Sequence, residues 1–128
     1  RDPLQVVPST ASLHFELRSV FSDTVDAAAV GAEVSRRWAV GMERALAVRD
    51  AMPDSTSRFY DVQYADLMRD PIATVRRLYL HFGSQLSDAA EARMRSFLAR
   101  NPKDKHGRHR YSLEQFGLDA DQVLRQYA

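Results

Sequence analysis

Hydrophobic residues return at every fourth position between residues 30 and 46. Val30, Val34, Trp38, Met42 and Leu46 form one stripe with Ala45 beside it, while Glu33, Arg36, Arg37, Glu43 and Arg44 occupy other faces. This period predicts an amphipathic helix with Trp38 in its core face, stopping around Ala51-Met52-Pro53. Residues 54–57 then read as a loop of turn formers. Ahead of this helix, Asp2 followed by Pro3 is a helix start, with the Asp as N-cap. Val6, Leu13, Leu17, Val20 and Phe21 supply its apolar side, and Ser22-Asp23 ends it. Pro8 lacks the N–H that would bond to Leu4, so a kink or delayed start is expected there.

Residues 58–64, Arg-Phe-Tyr-Asp-Val-Gln-Tyr, carry the one strand-like pattern, with Phe59, Tyr60, Val62 and Tyr64 as strand formers. A single strand leaves a row of backbone groups without partners. Either partner strands lie outside this chain, or copies of the chain pair through the edges of the lone strand. The opening Arg1-Asp2-Pro3, with neither an initiator Met nor a signal-peptide pattern, points the same way, to a segment of something longer.

Asp70-Pro71 repeats the Asp-Pro start. Ile72, Val75, Leu78, Tyr79 and Phe82 form its buried stripe, and Gly83 is a natural terminator. Ser87 caps a further helix with Ala90, Met94, Phe97 and Leu98 inward, ending before Pro102. Ser112 to Gln115 and Asp119 to Gln122 both have capping-box spacing, predicting a short turn at 113–116 and a last helix from residue 120.

Composition narrows the function classes. The 128 residues amount to one domain at most, and a net charge of +1 provides no global field for DNA or an anionic membrane. The absence of Cys excludes disulfides and thiol chemistry and is compatible with a cytoplasmic location. No run of about 18 apolar residues is present to span a bilayer. Charge concentrates only at Lys103–Arg110, where four Lys/Arg meet one Asp, two His and a Gly. Such a stretch is a solvated loop or an anion site. His106 and His109 are three apart, but no third ligand lies nearby, so no metal is expected. His14 and His81 read as packing or surface residues, and the Arg36-Arg37 and Arg76-Arg77 pairs as solvated helix faces.

Three pieces, taken in order, resemble the sulfotransferase family. Tyr64-Ala65-Asp66-Leu67, then Asp70-Pro71, an amphipathic helix and Phe82-Gly83, look like the family's Tyr-Glu-Asp-Leu strand end, helix-opening Pro and Phe-Gly close. Arg1 with Ser9, eight positions later, is similar to its 3′-phosphate motif. The late basic loop with Gly107 resembles its Arg-Lys-Gly loop, and the run from Gly107 to Leu118 looks like the C-terminal end of bacterial members. The resemblance covers nearly all of residues 1–128, but only the C-terminal part of the family's single domain.

It implies an α/β parent with a P-loop-like parallel sheet and flanking helices, of which this segment is mostly α-helical with one strand near 58–64. The parent activity would move a sulfuryl group from 3′-phosphoadenosine 5′-phosphosulfate to a hydroxyl or amine. Arg1 and Ser9 would hold the 3′-phosphate, Tyr64 would contact the adenine, and Lys105, His106, Gly107 and Arg108 would approach the phosphate from the other side. The family's Glu after the strand Tyr is Ala65 here, and Arg108 and Arg110 are rival candidates for the loop's Arg. No Gly-x-x-x-x-Gly-Lys-Ser/Thr loop occurs. The phosphosulfate loop and the catalytic base would lie upstream of Arg1, so the segment alone is expected to be inactive. The acceptor would be a small molecule, lipid or carbohydrate, with no nucleic acid. The rival readings are a small helical binding module whose basic loop, with Tyr111 and Phe116 as stacking residues, meets nucleic acid or an acidic partner, and a non-catalytic remnant.

Overall fold

The structure, a computed structural model, describes residues 1–102 and 111–127. It divides into two compact units, one made of Arg1–Ala51 with the C-terminal segment, the other beginning at Met52.

The first unit is built on two helices, α1 (Pro3–Ser19) and α2 (Ala27–Asp50). Asp2 caps α1 as expected, its Oδ1 accepting the Leu4 N–H at 2.9 Å with Pro3 in the first turn. The helix runs through Pro8 without the expected delay. Pro8 is buried between Val7 and Ala11, and packing there offsets a local penalty of about 3 kcal/mol. The apolar face expected for α1 is the wrong one. Leu13, Leu17, Val20 and Phe21 are exposed, and the helix turns Val7, Ala11 and the partly buried Phe15 inward. Leu13 lies about 200° around the helix from Ala11, so α1 carries two apolar stripes. The one with small residues packs closely.

Asp26 caps α2, accepting from the Ala28 and Ala29 N–H groups at 2.9 and 3.2 Å. The predicted stripe is correct in register and divided in burial. Val30 and Val34 are buried, whereas Trp38, Met42 and Leu46 are 50%, 46% and 48% exposed, which corrects the placing of Trp38 in the core. Within this unit, the elements that pack on α2 cover its first half and leave the second bare.

The C-terminal segment supplies the rest of the core. A 3-10 turn at Glu114–Phe116 and a last helix α7 (Ala120–Gln126) form where their capping signals predict. Ser112 Oγ accepts the Gln115 N–H at 3.3 Å, and Asp119 Oδ1 accepts the Gln122 N–H at 2.8 Å. Phe116 is buried with Ala11, Val30 and Val34, its ring edge-on to Phe15 at 6.3 Å. It is therefore unavailable as a stacking residue for nucleic acid. Gly31 allows this packing, since a Cβ there would overlap the Phe116 carbonyl oxygen. Gly117 closes the turn at φ 60°, and a Cβ on it would lie 2.9 Å from that of Ala28. The buried Ser35 hydroxyl bonds to Gln126, and Tyr127 donates to the Ser35 carbonyl at 3.2 Å.

The second unit contains α3 (Ser55–Arg58), α4 (Tyr64–Arg69), α5 (Pro71–His81) and α6 (Asp88–Arg100). The strand expected near 58–64 does not form, and no strand occurs among the described residues. Phe59 and Gln63 are extended, at φ −124°, ψ 144° and φ −71°, ψ 126°, but no described segment offers the ladder that a strand requires. Self-association through strand edges loses its basis with the strand.

Asp70 Oδ1 accepts the Ala73 N–H at 2.9 Å to open α5. At its end the Ser84 N–H bonds to the Tyr79 carbonyl at 2.8 Å and the Gly83 N–H to that of Leu80 at 3.0 Å, with Gly83 at φ 65°. That is a Schellman close, as the Phe82-Gly83 pair predicts. Ile72 and Thr74 are buried, Val75, Leu78 and Tyr79 partly so, and Phe82 is 49% exposed. Ser87 caps α6, accepting from Ala90 at 3.3 Å, and the helix ends before Pro102. Ala90 and Met94 are partly buried, but Phe97 and Leu98 are exposed rather than inward. Glu91 lies between Arg76 of α5, at 2.6 Å, and Arg95 of α6, at 2.7 Å, so the exposed Arg76 finds a Glu neighbour that ties two helices together.

Candidate functional site

Arg1 and Ser9 sit at the start of α1. Arg1 directly precedes the N-cap and is exposed, while Ser9 is partly buried beside the anchored Val7 and Pro8. Six residues of helical rise, about 9 Å, separate Pro3 from Ser9. The Asp2 carboxylate is occupied by the Leu4 N–H, which fixes the backbone where Arg1 enters.

Tyr64 belongs to the second unit. It opens α4 at the junction between the extended backbone of Gln63 and the helix, rather than ending a strand, and is partly buried. Lys105, His106, Gly107 and Arg108 lie outside the described residues, as do the rivals Arg110 and His109. Of the expected nucleotide contacts, the structure thus places Ser9 on α1 and Arg1 just ahead of its N-cap. Among the described residues no group of three or more His, Asp or Glu gathers as a metal site.

Ion pairs between helices shape the surroundings. Glu33 on α2 accepts from Arg18 of α1 at 2.8 Å and from Arg37 at 2.9 Å. The Arg18 hydrogen bond, then that of Arg37, holds its carboxyl below the usual carboxylate value. Glu91 is lowered in the same way by Arg95 and then Arg76. Glu114 is lowered by a backbone N–H and then by Ser112, and burial raises Tyr127. The signal for the Glu33 bridge was the Glu33/Arg37 spacing. Its long-range partner Arg18 could not be read from spacing.

Beside this bridge, α1 and α2 bound a groove of about 550 Å³. His14, Glu33 and Arg37 line it nearer the start of α2, and Val34, Trp38, Gly41, Met42 and Ala45 extend its apolar wall along that helix.

The model of a family described as the sulfotransferase family matches residues 1–88. The chain belongs to the sulfotransferase family. Two curated relatives are the omega-hydroxy-beta-dihydromenaquinone-9 sulfotransferases of Mycobacterium bovis and Mycobacterium tuberculosis, each 32% identical over 118 residues. The alignment takes in 90% of this chain and 29% of each relative, so the chain spans less than a third of their length. A crystal structure of a sulfotransferase from Mycobacterium avium superposes with a TM-score of 0.84 at 28% identity, over 99% of this chain and 32% of that one. The family resemblance carried by Arg1/Ser9, Tyr64 and the Asp70-Pro71 helix is therefore borne out, and the rival reading as a helical nucleic-acid module is not favoured. Among the described residues no helix is long and apolar enough to cross a membrane.

Proposed function

We propose that this chain is the C-terminal part of a sulfotransferase domain of α/β type, contributing 3′-phosphate and adenine contacts for 3′-phosphoadenosine 5′-phosphosulfate. The observation that carries this is the Arg1/Ser9 pair, eight residues apart at the start of one capped helix, within the span that the family model matches. Arg1 offers a guanidinium fork and Ser9 a hydroxyl to a phosphate dianion. Tyr64 is assigned to the adenine, and Lys105, His106, Gly107 and Arg108 to the far side of the same phosphate.

In the whole domain the acceptor oxygen attacks sulfur and the bond from sulfur to the bridging 5′-phosphate oxygen breaks. That oxygen keeps the electron pair, and 3′-phosphoadenosine 5′-phosphate leaves. A base takes the acceptor proton. This segment holds the leaving nucleotide by its distal end, which is positioning rather than bond-making. The base and the phosphosulfate loop are assigned to the part of the longer relatives that this chain does not span, so the segment alone should be inactive. The names of the two relatives favour a lipid-like alcohol as acceptor. A chain without Cys suits the reducing cytoplasm, where we place the protein.

Calorimetric titration with 3′-phosphoadenosine 5′-phosphate and with its 3′-dephosphorylated analogue tests the reading. Binding that requires the 3′-phosphate and weakens in Ser9→Ala supports it. Equal binding of both nucleotides would remove the site assignments.

A further inference from the structure

We propose that Pro8 opens a second contact in the nucleotide half-site, leaving the Leu4 carbonyl to accept a hydrogen bond from the ribose 2′-hydroxyl beside the 3′-phosphate. The proposal rests on the assignment of Ser9 to that phosphate given above.

It starts from a proline inside a helix. Pro8 lies within α1 and is buried beside Val7. Burial accounts for an apolar side chain at this position, but not for a residue that disfavours the helix. Val or Ala would also be apolar and would keep the helical hydrogen bond. What proline alone does is remove the N–H that would bond to the Leu4 carbonyl. Among the described residues no side chain donates to that carbonyl in its place.

The neighbouring hydroxyl is equally uncommitted. Serines and threonines inside helices often turn back onto the carbonyl four residues earlier. Thr10 does so onto Val6, Ser19 onto Phe15 and Thr74 onto Asp70, each at 2.9 Å. The Ser9 hydroxyl makes no hydrogen bond among the described residues. A helical carbonyl points along the axis toward the position four residues on, and a helical Cβ tilts back toward the N-terminus. The Leu4 oxygen and the Ser9 hydroxyl therefore share one turn, about 5 Å of rise. Both residues are partly exposed, so this turn is open to a ligand.

A donor and an acceptor side by side select a ligand that carries both functions. The Ser9 hydroxyl donates to a phosphate oxygen, whereas the Leu4 carbonyl repels one and requires a donor. In 3′-phosphoadenosine 5′-phosphate that donor stands on the next ribose carbon, as the 2′-hydroxyl. The pair therefore reads a 3′-phosphoribose rather than a phosphate alone.

Titration calorimetry of the 128-residue chain with 3′-phosphoadenosine 5′-phosphate and with 2′-deoxyadenosine 3′,5′-bisphosphate tests this. The native chain should bind the deoxy nucleotide about fivefold more weakly, the effect of one hydrogen bond. Pro8→Ala restores an N–H to the Leu4 carbonyl, so it should bind both nucleotides alike. Its affinity should match that of the native chain for the deoxy form. Pro8→Val does the same while keeping more of the buried volume, and circular dichroism checks that both variants stay helical. A proline that served the fold alone would instead weaken both nucleotides by the same factor. Equal affinities in the native chain, or a 2′-hydroxyl preference that survives in a folded Pro8 variant, would overturn the proposal. Either result with the 3′-phosphate requirement intact leaves the Ser9 assignment standing. Loss of that requirement, measured against adenosine 5′-monophosphate, removes the half-site and this contact with it.

Discussion

Gly31 and the carbonyl of Phe116 lie so close that no side chain fits between them. This contact joins the first quarter of the sequence to its C-terminal end, and it places the Phe116 ring among Ala11, Val30 and Val34. Gly31→Ala sets two effects against each other. Ala gains about 1 kcal/mol of helix propensity, while forcing a methyl against backbone costs about 1–3 kcal/mol or more. The obstructing atom belongs to a backbone turn and cannot rotate away, so the clash should win. Thermal melting should show Gly31→Ala to be less stable, and an unchanged or raised melting temperature would refute the close contact.

Gly41→Ala makes the opposite prediction from the same helix. With open space around it, the propensity gain of up to about 1 kcal/mol stands alone. The melting temperature should rise by roughly 4 °C. The contrast between the two glycines is measurable in one pair of melts.

Phe116→Ala removes a fully buried aromatic side chain from the first unit. Such truncations cost about 3–5 kcal/mol, a large share of the stability of a small domain. Urea unfolding should place this variant far below Phe116→Leu, which keeps most of the buried volume. Equal midpoints for the two would mean that the ring is not central to the core.

Glu33 gives the unit a pH dependence of known sign. Its carboxyl lies below its usual 4.5 in the folded chain, because Arg18 and then Arg37 stabilise the charged form. The stabilisation is fully present above the unfolded value and is lost as pH falls through the lowered folded one. Glu33→Gln should therefore differ from the native chain most at about pH 6, and the gap should narrow toward about pH 3. Urea midpoints across that range would show it. A gap that widens on acidification would contradict the bridge.

Ser9→Ala should leave the fold intact, since Ser9 caps nothing in α1, yet weaken 3′-phosphoadenosine 5′-phosphate binding by about 1 kcal/mol, roughly fivefold. Raising the salt should weaken both proteins further, because phosphate contacts exchange with ions. An unchanged affinity in the calorimeter would remove Ser9 from the site.

The sequence by itself determined the local elements. Asp2, Asp70, Ser87 and Asp119 cap helices where they stand, and Gly83 and Gly117 end theirs, because a cap is settled within a few residues of chain. It also carried the family, since the Arg1/Ser9 spacing and the Tyr64 to Gly83 run are short-range patterns. Tertiary structure decided which apolar stripe is covered. Leu13 and Leu17 read as core by bulk, yet the small Ala11 side faces inward, because close approach to α2 and Phe116 matters more than size. It also decided that residues 58–64 form no strand, since a ladder depends on neighbours that no local pattern provides. Trp38 marks the boundary between the two: its helical register was legible from a period of four, but its burial was not, because burial depends on what packs against the far half of α2.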